Sequence, residues 1–287
     1  MDYQIERVSA MPSQADSDPM LIAKWLHGKP KSTAKEYKEA IVRLDEFLRK
    51  PLQATTLDDL QRFVDDLDGL SVNTQKRIIA SVKSLFSFAM KIGYLRFNVA
   101  AVLRTPKSRN DLAQRILSES DVMKMIYQTE NKRDQVLIRL LYASGARISE
   151  VCGLTWDSIT TNKDTGQVTL FGKGGKTRNV KLSMATWQAL IELRVGSDNS
   201  EPVFKSRKCG GLKEVQVHRI VKAAATRAGI QGNVSAHWLR HSHASHALDR
   251  GANIALVRDT LGHSSLSVTS RYVHAKPDDS SAMHLGV

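Results

Sequence analysis

The sequence predicts a mainly α-helical protein with a small antiparallel β-sheet, built as two domains. Three observations carry this. Apolar residues recur at helical spacing through most of the chain, two short strand-like runs flank a glycine-rich turn, and a polar, proline-containing stretch interrupts the pattern near residue 105. At 287 residues the chain is long for one compact core, and 41% apolar with 25% charged residues is ordinary globular composition.

Residues 1–17 are polar and acidic and are expected to be flexible. From 18 to 105 helical segments are expected near 18–27, 33–49, 56–67 and 72–92, forming a small bundle. In the second, Thr33 with Glu36 reads as a capping box, and Tyr37, Ile41, Leu44 and Leu48 follow on one face. In the fourth, Ile78, Val82, Leu85, Phe86 and Ala89 form an apolar stripe. Lys76, Arg77, Lys83 and Lys91 occupy the rest of that helix, as a solvated face or as a DNA-backbone contact.

The stretch 106–114, with Pro106, reads as the linker, and a second domain runs from 115 to 287. It opens with a helix capped by Ser118 and Asp121, then an apolar helix ending at Gly145 and another beginning near Ile148. Strands are expected at 167–171 and 178–182, joined by the turn GKGGKT, and helices again from about Val215.

Lys and Arg number 42 against 29 Asp and Glu, a net charge of +13. Up to residue 105 there are 16 basic and 13 acidic residues, and beyond it 26 and 16, so most of the excess lies in the second domain. Such a field favours a polyanionic partner. Two cysteines, Cys152 and Cys209, exclude a disulfide framework or a cysteine zinc site, and no apolar run approaches membrane-spanning length, which points to the cytoplasm.

Four groups of residues carry chemistry. Arg147, in SGARISEVCGL, has Glu150 on the same helical face to orient its guanidinium, although an isolated pair of this kind is also an ordinary structural ion pair. Lys173 sits in the hairpin turn. A phosphate-binding loop ending at Gly175, Lys176 and Thr177 would need glycine where Leu170 stands, and a helix where the second strand is expected. Six of nine histidines fall between 237 and 274. His237, His241, His243 and His246 have helical spacing, but without an acidic or cysteine partner they do not read as a metal site.

Taken in order, these motifs resemble the tyrosine recombinases, or phage integrases. The family's G-x-R-x-S-E matches Arg147, its hairpin G-K-G-x-K matches Lys173, and its H-x-L-R-H matches His237 and Arg240. Its L-G-H matches His263, and its tyrosine nine residues later matches Tyr272. The resemblance covers the whole second domain as the family's α+β catalytic domain and, more loosely, the first as its helical, SAM-like core-binding domain.

The resemblance implies a site-specific DNA recombinase acting through a 3′-phosphotyrosyl link at Tyr272. Arg147, Arg240 and His263 would stabilise the phosphate, His237 would accept the tyrosine proton or support the transition state, and Lys173, in preference to Lys176, would protonate the leaving 5′ oxygen. No metal or other cofactor is implied. The partners implied are double-stranded DNA carrying a target site, with two domains closing around each duplex, and a synaptic homotetramer or a heterotetramer with a second recombinase. The short polar N-terminus leaves no room for an arm-binding domain, which favours Xer-like resolution over integration or excision of a mobile element. A type IB topoisomerase and a catalytically silent DNA-binding regulator are the rivals. Pro277 limits any C-terminal helix to about 280–285, which puts the family's usual tail docking in doubt.

Overall fold

A computed structural model describes residues 13–107, 112–162, 165–172 and 175–273. The chain divides into two compact units, residues 1–109 and 110–287.

The first unit is built from α1 (Asp18–Leu26), α2 (Lys31–Leu48), α3 (Leu57–Asp66) and α4 (Val72–Lys91). The expected stripe on α4 is buried in full, against Leu21, Trp25, Leu44 and Phe63. Burial of this kind stabilises each large side chain by roughly 1.5–3 kcal/mol, and it holds helices whose own propensities are modest. On the polar side of α4, Arg77 pairs with Glu36 at 3.8 Å and Lys83 donates to the Leu103 carbonyl at 2.9 Å.

The capping box expected at Thr33 and Glu36 does not form. α2 begins at Lys31 with Pro30 before it and no side-chain cap. Proline presets the turn, and Ala34 N–H already donates to the Pro30 carbonyl at 2.9 Å, which places Thr33 inside the helix. The true box lies on α3, where Asp59 N–H donates to Thr56 Oγ1 and Thr56 N–H to Asp59 Oδ2. Residues 1–12 of the expected flexible N-terminus lie outside the described residues, while Ala15 is buried in this unit and Gln14 N–H donates to the Ile92 carbonyl.

The second unit opens with α5 (Glu119–Tyr127), whose N-cap Ser118 accepts from Asp121 N–H at 3.1 Å. Then come α6 (Lys132–Ser144), ended by Gly145 in the left-handed conformation, and the short α7 (Ile148–Cys152). Strands β1 (Ile159–Asn162), β2 (Thr165–Phe171) and β3 (Thr177–Lys181) form an antiparallel sheet in that order. Its register pairs Val168 with Val180 and Phe171 with Thr177. β2 buries alternate residues, Val168 and Leu170, so one face of the sheet meets the core.

β1 and α8 (Met184–Ile191) were not expected. α8 covers the sheet so closely that a Cβ on Gly166 would sit 2.0 Å from the Trp187 ring. The chain continues as α9 (Glu214–Arg227), α10 (Ala236–Asp249), α11 (Ile254–Leu261) and α12 (Leu266–Val273). α10 packs against α5, α6, α9, α11 and α12 and is the spine of the unit. No described helix is long and apolar enough to cross a membrane. The tail expected to carry a short helix at 280–285 lies outside the described residues.

Candidate active site

Two left-handed glycines shape the site. Gly145 (φ 57°) ends α6 and turns the chain so that Arg147 becomes the extended residue in front of α7. Gly262 (φ 63°) ends α11 and turns the chain into His263. Each helix end leaves backbone carbonyls without an intrahelical donor, at the negative pole of the helix.

At the end of α11 those carbonyls are taken by three arginines from three different elements. Arg178 of β3 donates Nε–H to the Thr260 carbonyl at 2.6 Å, Arg240 of α10 donates Nη2 to Leu261 at 2.6 Å, and Arg147 donates Nη2 to Gly262 at 3.1 Å. Arg240 also donates Nη1 to the Gly145 carbonyl at 2.6 Å, so a single buried guanidinium joins the ends of α6 and α11. Burial, with Arg147 and Arg178 nearby, lowers its pKa to about 10, and it remains charged at neutral pH.

Glu150 is the anion of this cluster, and its side chain is 1% exposed. It accepts from Arg147 N–H (2.7 Å) and Nη1 (2.9 Å), as the sequence led one to expect, and also from both Nη atoms of Arg178 (2.8 and 2.7 Å). Burial pushes its carboxyl up, but the hydrogen bonds to Arg178 and Arg147 together outweigh this and hold it below the ordinary carboxylate range. Arg147, Lys176, Arg178, Gly262, His263 and Ser264 line one cleft.

Tyr272 lies on α12 with 6% of its surface exposed. Its hydroxyl is 2.8 Å from His241 Nδ1. Burial, reinforced by His237 and neighbouring arginines, lowers the His241 pKa to about 4, so the ring is neutral, and in the tautomer protonated on Nε2 its Nδ1 accepts a hydrogen bond from the phenol. Burial raises the Tyr272 pKa, and Arg240 and Arg271 act against that rise. His263 stacks on the Tyr272 ring at 6.4 Å between centroids and an 8° tilt, its Nδ1 2.8 Å from Thr269 Oγ1. Its pKa is also lowered to about 4, by burial first and then by Arg240, Arg147 and Arg178.

Of the six residues singled out in the sequence, Arg147, Arg240, His263 and Tyr272 are thus linked through the end of α11 and α12. His237 is exposed in the first turn of α10 and reaches Tyr272 only through His241, on which its ring stacks at 6.4 Å. Lys173 lies outside the described residues. Sequence reading passed over two participants. His241 was grouped only with the histidine run, although it stands one helical turn after His237. Arg178 had a readable signal, because alternation along β3 places this cation on the same face as the buried Val180. Chemically, the cluster offers a cationic cradle for an anion beside a phenol whose hydroxyl already has a neutral base as neighbour. Among the described residues, no group of three or more His, Cys, Asp or Glu side chains converges to hold a metal.

Comparison with known proteins matches residues 109–278 to the phage integrase family and residues 28–93 to the phage integrase N-terminal SAM-like domain. The chain is 33% identical over 222 residues to the tyrosine recombinase XerC of Xylella fastidiosa, covering 75% of each, and 32% identical over 234 residues to the tyrosine recombinase XerD of Corynebacterium glutamicum, covering 77% of this chain and 76% of the relative. The fold is similar to that of a lambda integrase dimer bound to a COC′ core site, with a TM-score of 0.76 and 17% identity, over 92% of this chain and 98% of the other. With the family model spanning more than half of its length, the chain belongs to the phage integrase family and is a tyrosine recombinase.

Proposed function

We propose that this recombinase cleaves and rejoins DNA at a specific site through a 3′-phosphotyrosyl intermediate on Tyr272. The observation that carries the reading is the Tyr272 hydroxyl 2.8 Å from the nitrogen of a neutral histidine, within the field of Arg240. In cleavage the phenolic oxygen forms the new bond to phosphorus, its proton leaves for a neighbouring base, and the bond to the 5′ oxygen breaks. His241 is placed to receive or relay that proton, with His237 one turn behind it. The departing oxygen takes a proton from Lys173, and Arg147, Arg240 and His263 stabilise the charge on the nonbridging oxygens. Rejoining is the reverse, with a 5′-hydroxyl as nucleophile. One phosphodiester is exchanged for another, so no external energy source enters.

Residues 18–105 serve as the core-binding domain and 115–287 as the catalytic domain, joined by 106–114. The substrate is double-stranded DNA. Strand exchange between two duplexes calls for a tetramer of this chain, alone or mixed with a second recombinase. Lambda integrase has been solved as a tetramer on a Holliday junction and XerH bound to its difH substrate, which supports both inferences. The XerC and XerD relatives favour Xer-like resolution over integration or excision of a mobile element.

The test is strand transfer. A covalent complex trapped on a nicked duplex, given a second strand with a 5′-hydroxyl and a matching overlap, is expected to release joined DNA of the recombinant length. Relaxation of a supercoiled plasmid without any recombinant product would contradict the proposal and indicate topoisomerase activity instead.

A further inference from the structure

Glu150 is shared by two arginines that are not equivalent. Both line the cleft, but Arg147 is 34% exposed there, whereas Arg178 is 11% exposed and directs its donors at Glu150 and the Thr260 carbonyl. Both carboxylate oxygens receive a donor from each of the two residues. If Glu150 had Arg147 as its only partner, the pair would be neutral, and the guanidinium facing the cleft would have little field left to offer an anion. With Arg178 present, two cations share one anion and a net positive charge remains. Asp259, the one acid among the described residues lining the cleft, is occupied by Arg258 at 2.6 Å. A Cβ added at Gly262 would lie 3.3 Å from the Arg178 side chain, so glycine at this position leaves that side chain its room beside the end of α11.

We propose that Arg178 is a positioning residue for strand cleavage: by sharing the Glu150 carboxylate, it orients Arg147 and preserves its charge for the scissile phosphate. The inference rests on the recombinase reading of the same site. It extends that reading to a residue whose nearly buried guanidinium acts through Glu150.

The test is cleavage by the full-length protein of nicked duplexes carrying a site the protein has itself selected from a randomised pool, with either an ordinary phosphate or a neutral methylphosphonate at the scissile position. Loss of one preorganised charge contact costs about 10²-fold in rate where a charge must be stabilised. Arg178→Met is therefore expected to cleave the phosphodiester about 100-fold more slowly than wild type, and the methylphosphonate, which has no charge to neutralise, within about fivefold of wild type. Arg178→Lys keeps the charge but not the fork, and should lose only about tenfold on the phosphodiester. Should the methionine variant fail to fold, the lysine variant carries the same comparison. Equal losses on both substrates, or no loss on either, would overturn the inference and leave the recombinase reading standing. No adduct from wild type on either substrate would overturn both.

Discussion

Arg240 is the only Lys or Arg side chain buried among the described residues, and its two carbonyl partners make that burial tolerable. A lysine at this position reaches one carbonyl and strands the other, so Arg240→Lys is expected to lower stability by about 1–3 kcal/mol, measured by thermal or denaturant unfolding. The histidines set a pH dependence. His241, His243 and His263 have folded-state pKa values lowered to about 4, burial being the largest cause in each, against an ordinary value near 6.5. The unfolded chain therefore binds more protons between these values. The stabilising contribution is fully present above pH 6.5 and is lost as the pH falls towards 4. The melting temperature should fall across that window, and His243→Asn, which removes a titrating ring hydrogen-bonded to the Tyr142 carbonyl at 2.8 Å, should flatten the fall. At this scale the sequence disclosed the residues whose spacing is local, such as Arg147 with Glu150. It did not disclose His241 or Arg178 as participants, because their contacts join positions 31 and 28 residues apart along the chain.

The C-terminal end of α11 gathers the site, since three consecutive carbonyls there each hold an arginine. Gly262 is what permits the turn that exposes them. Gly262→Ala would force a non-glycine residue to a φ of 63° with its Cβ 3.3 Å from Arg178, and should cost about 1–2 kcal/mol of stability. Because the strain falls on the arginine cluster, strand cleavage should decline further than the melting temperature alone accounts for. Gly262→Asn, whose side chain tolerates the left-handed region, should be milder in both. The long helices were legible because their apolar period is sustained, as on α4. β1, with the polar sequence ITTN, and α8, only eight residues long, were not, because each is specified by packing against β2 and not by its own pattern. Thr33 and Glu36 matched the pattern of a capping box, but the competing start at Pro30 took the helix.

At the scale of the whole molecule, a net charge of +13 with the excess concentrated beyond residue 105 predicts DNA binding dominated by phosphate neutralisation. Affinity should drop by at least about 10³-fold between 50 and 200 mM salt, read by fluorescence anisotropy on a labelled duplex, and a flat response would contradict that view of the surface. The fold class and the family were both legible at this scale, because a six-part ordered motif rarely arises without its fold. What the sequence did not reveal is which base edges the protein reads, since those contacts depend on side chains placed in the grooves of a bound duplex. The central claim is that Tyr272 is the nucleophile. Its most direct measurement is incubation of wild-type and Tyr272→Phe protein with a nicked duplex carrying candidate sites, in chelator and without ATP, followed by denaturing electrophoresis. A protein–DNA adduct with wild type that disappears in Tyr272→Phe is the predicted result, and an adduct that persists in Tyr272→Phe, or tight binding by wild type with no adduct, would contradict it.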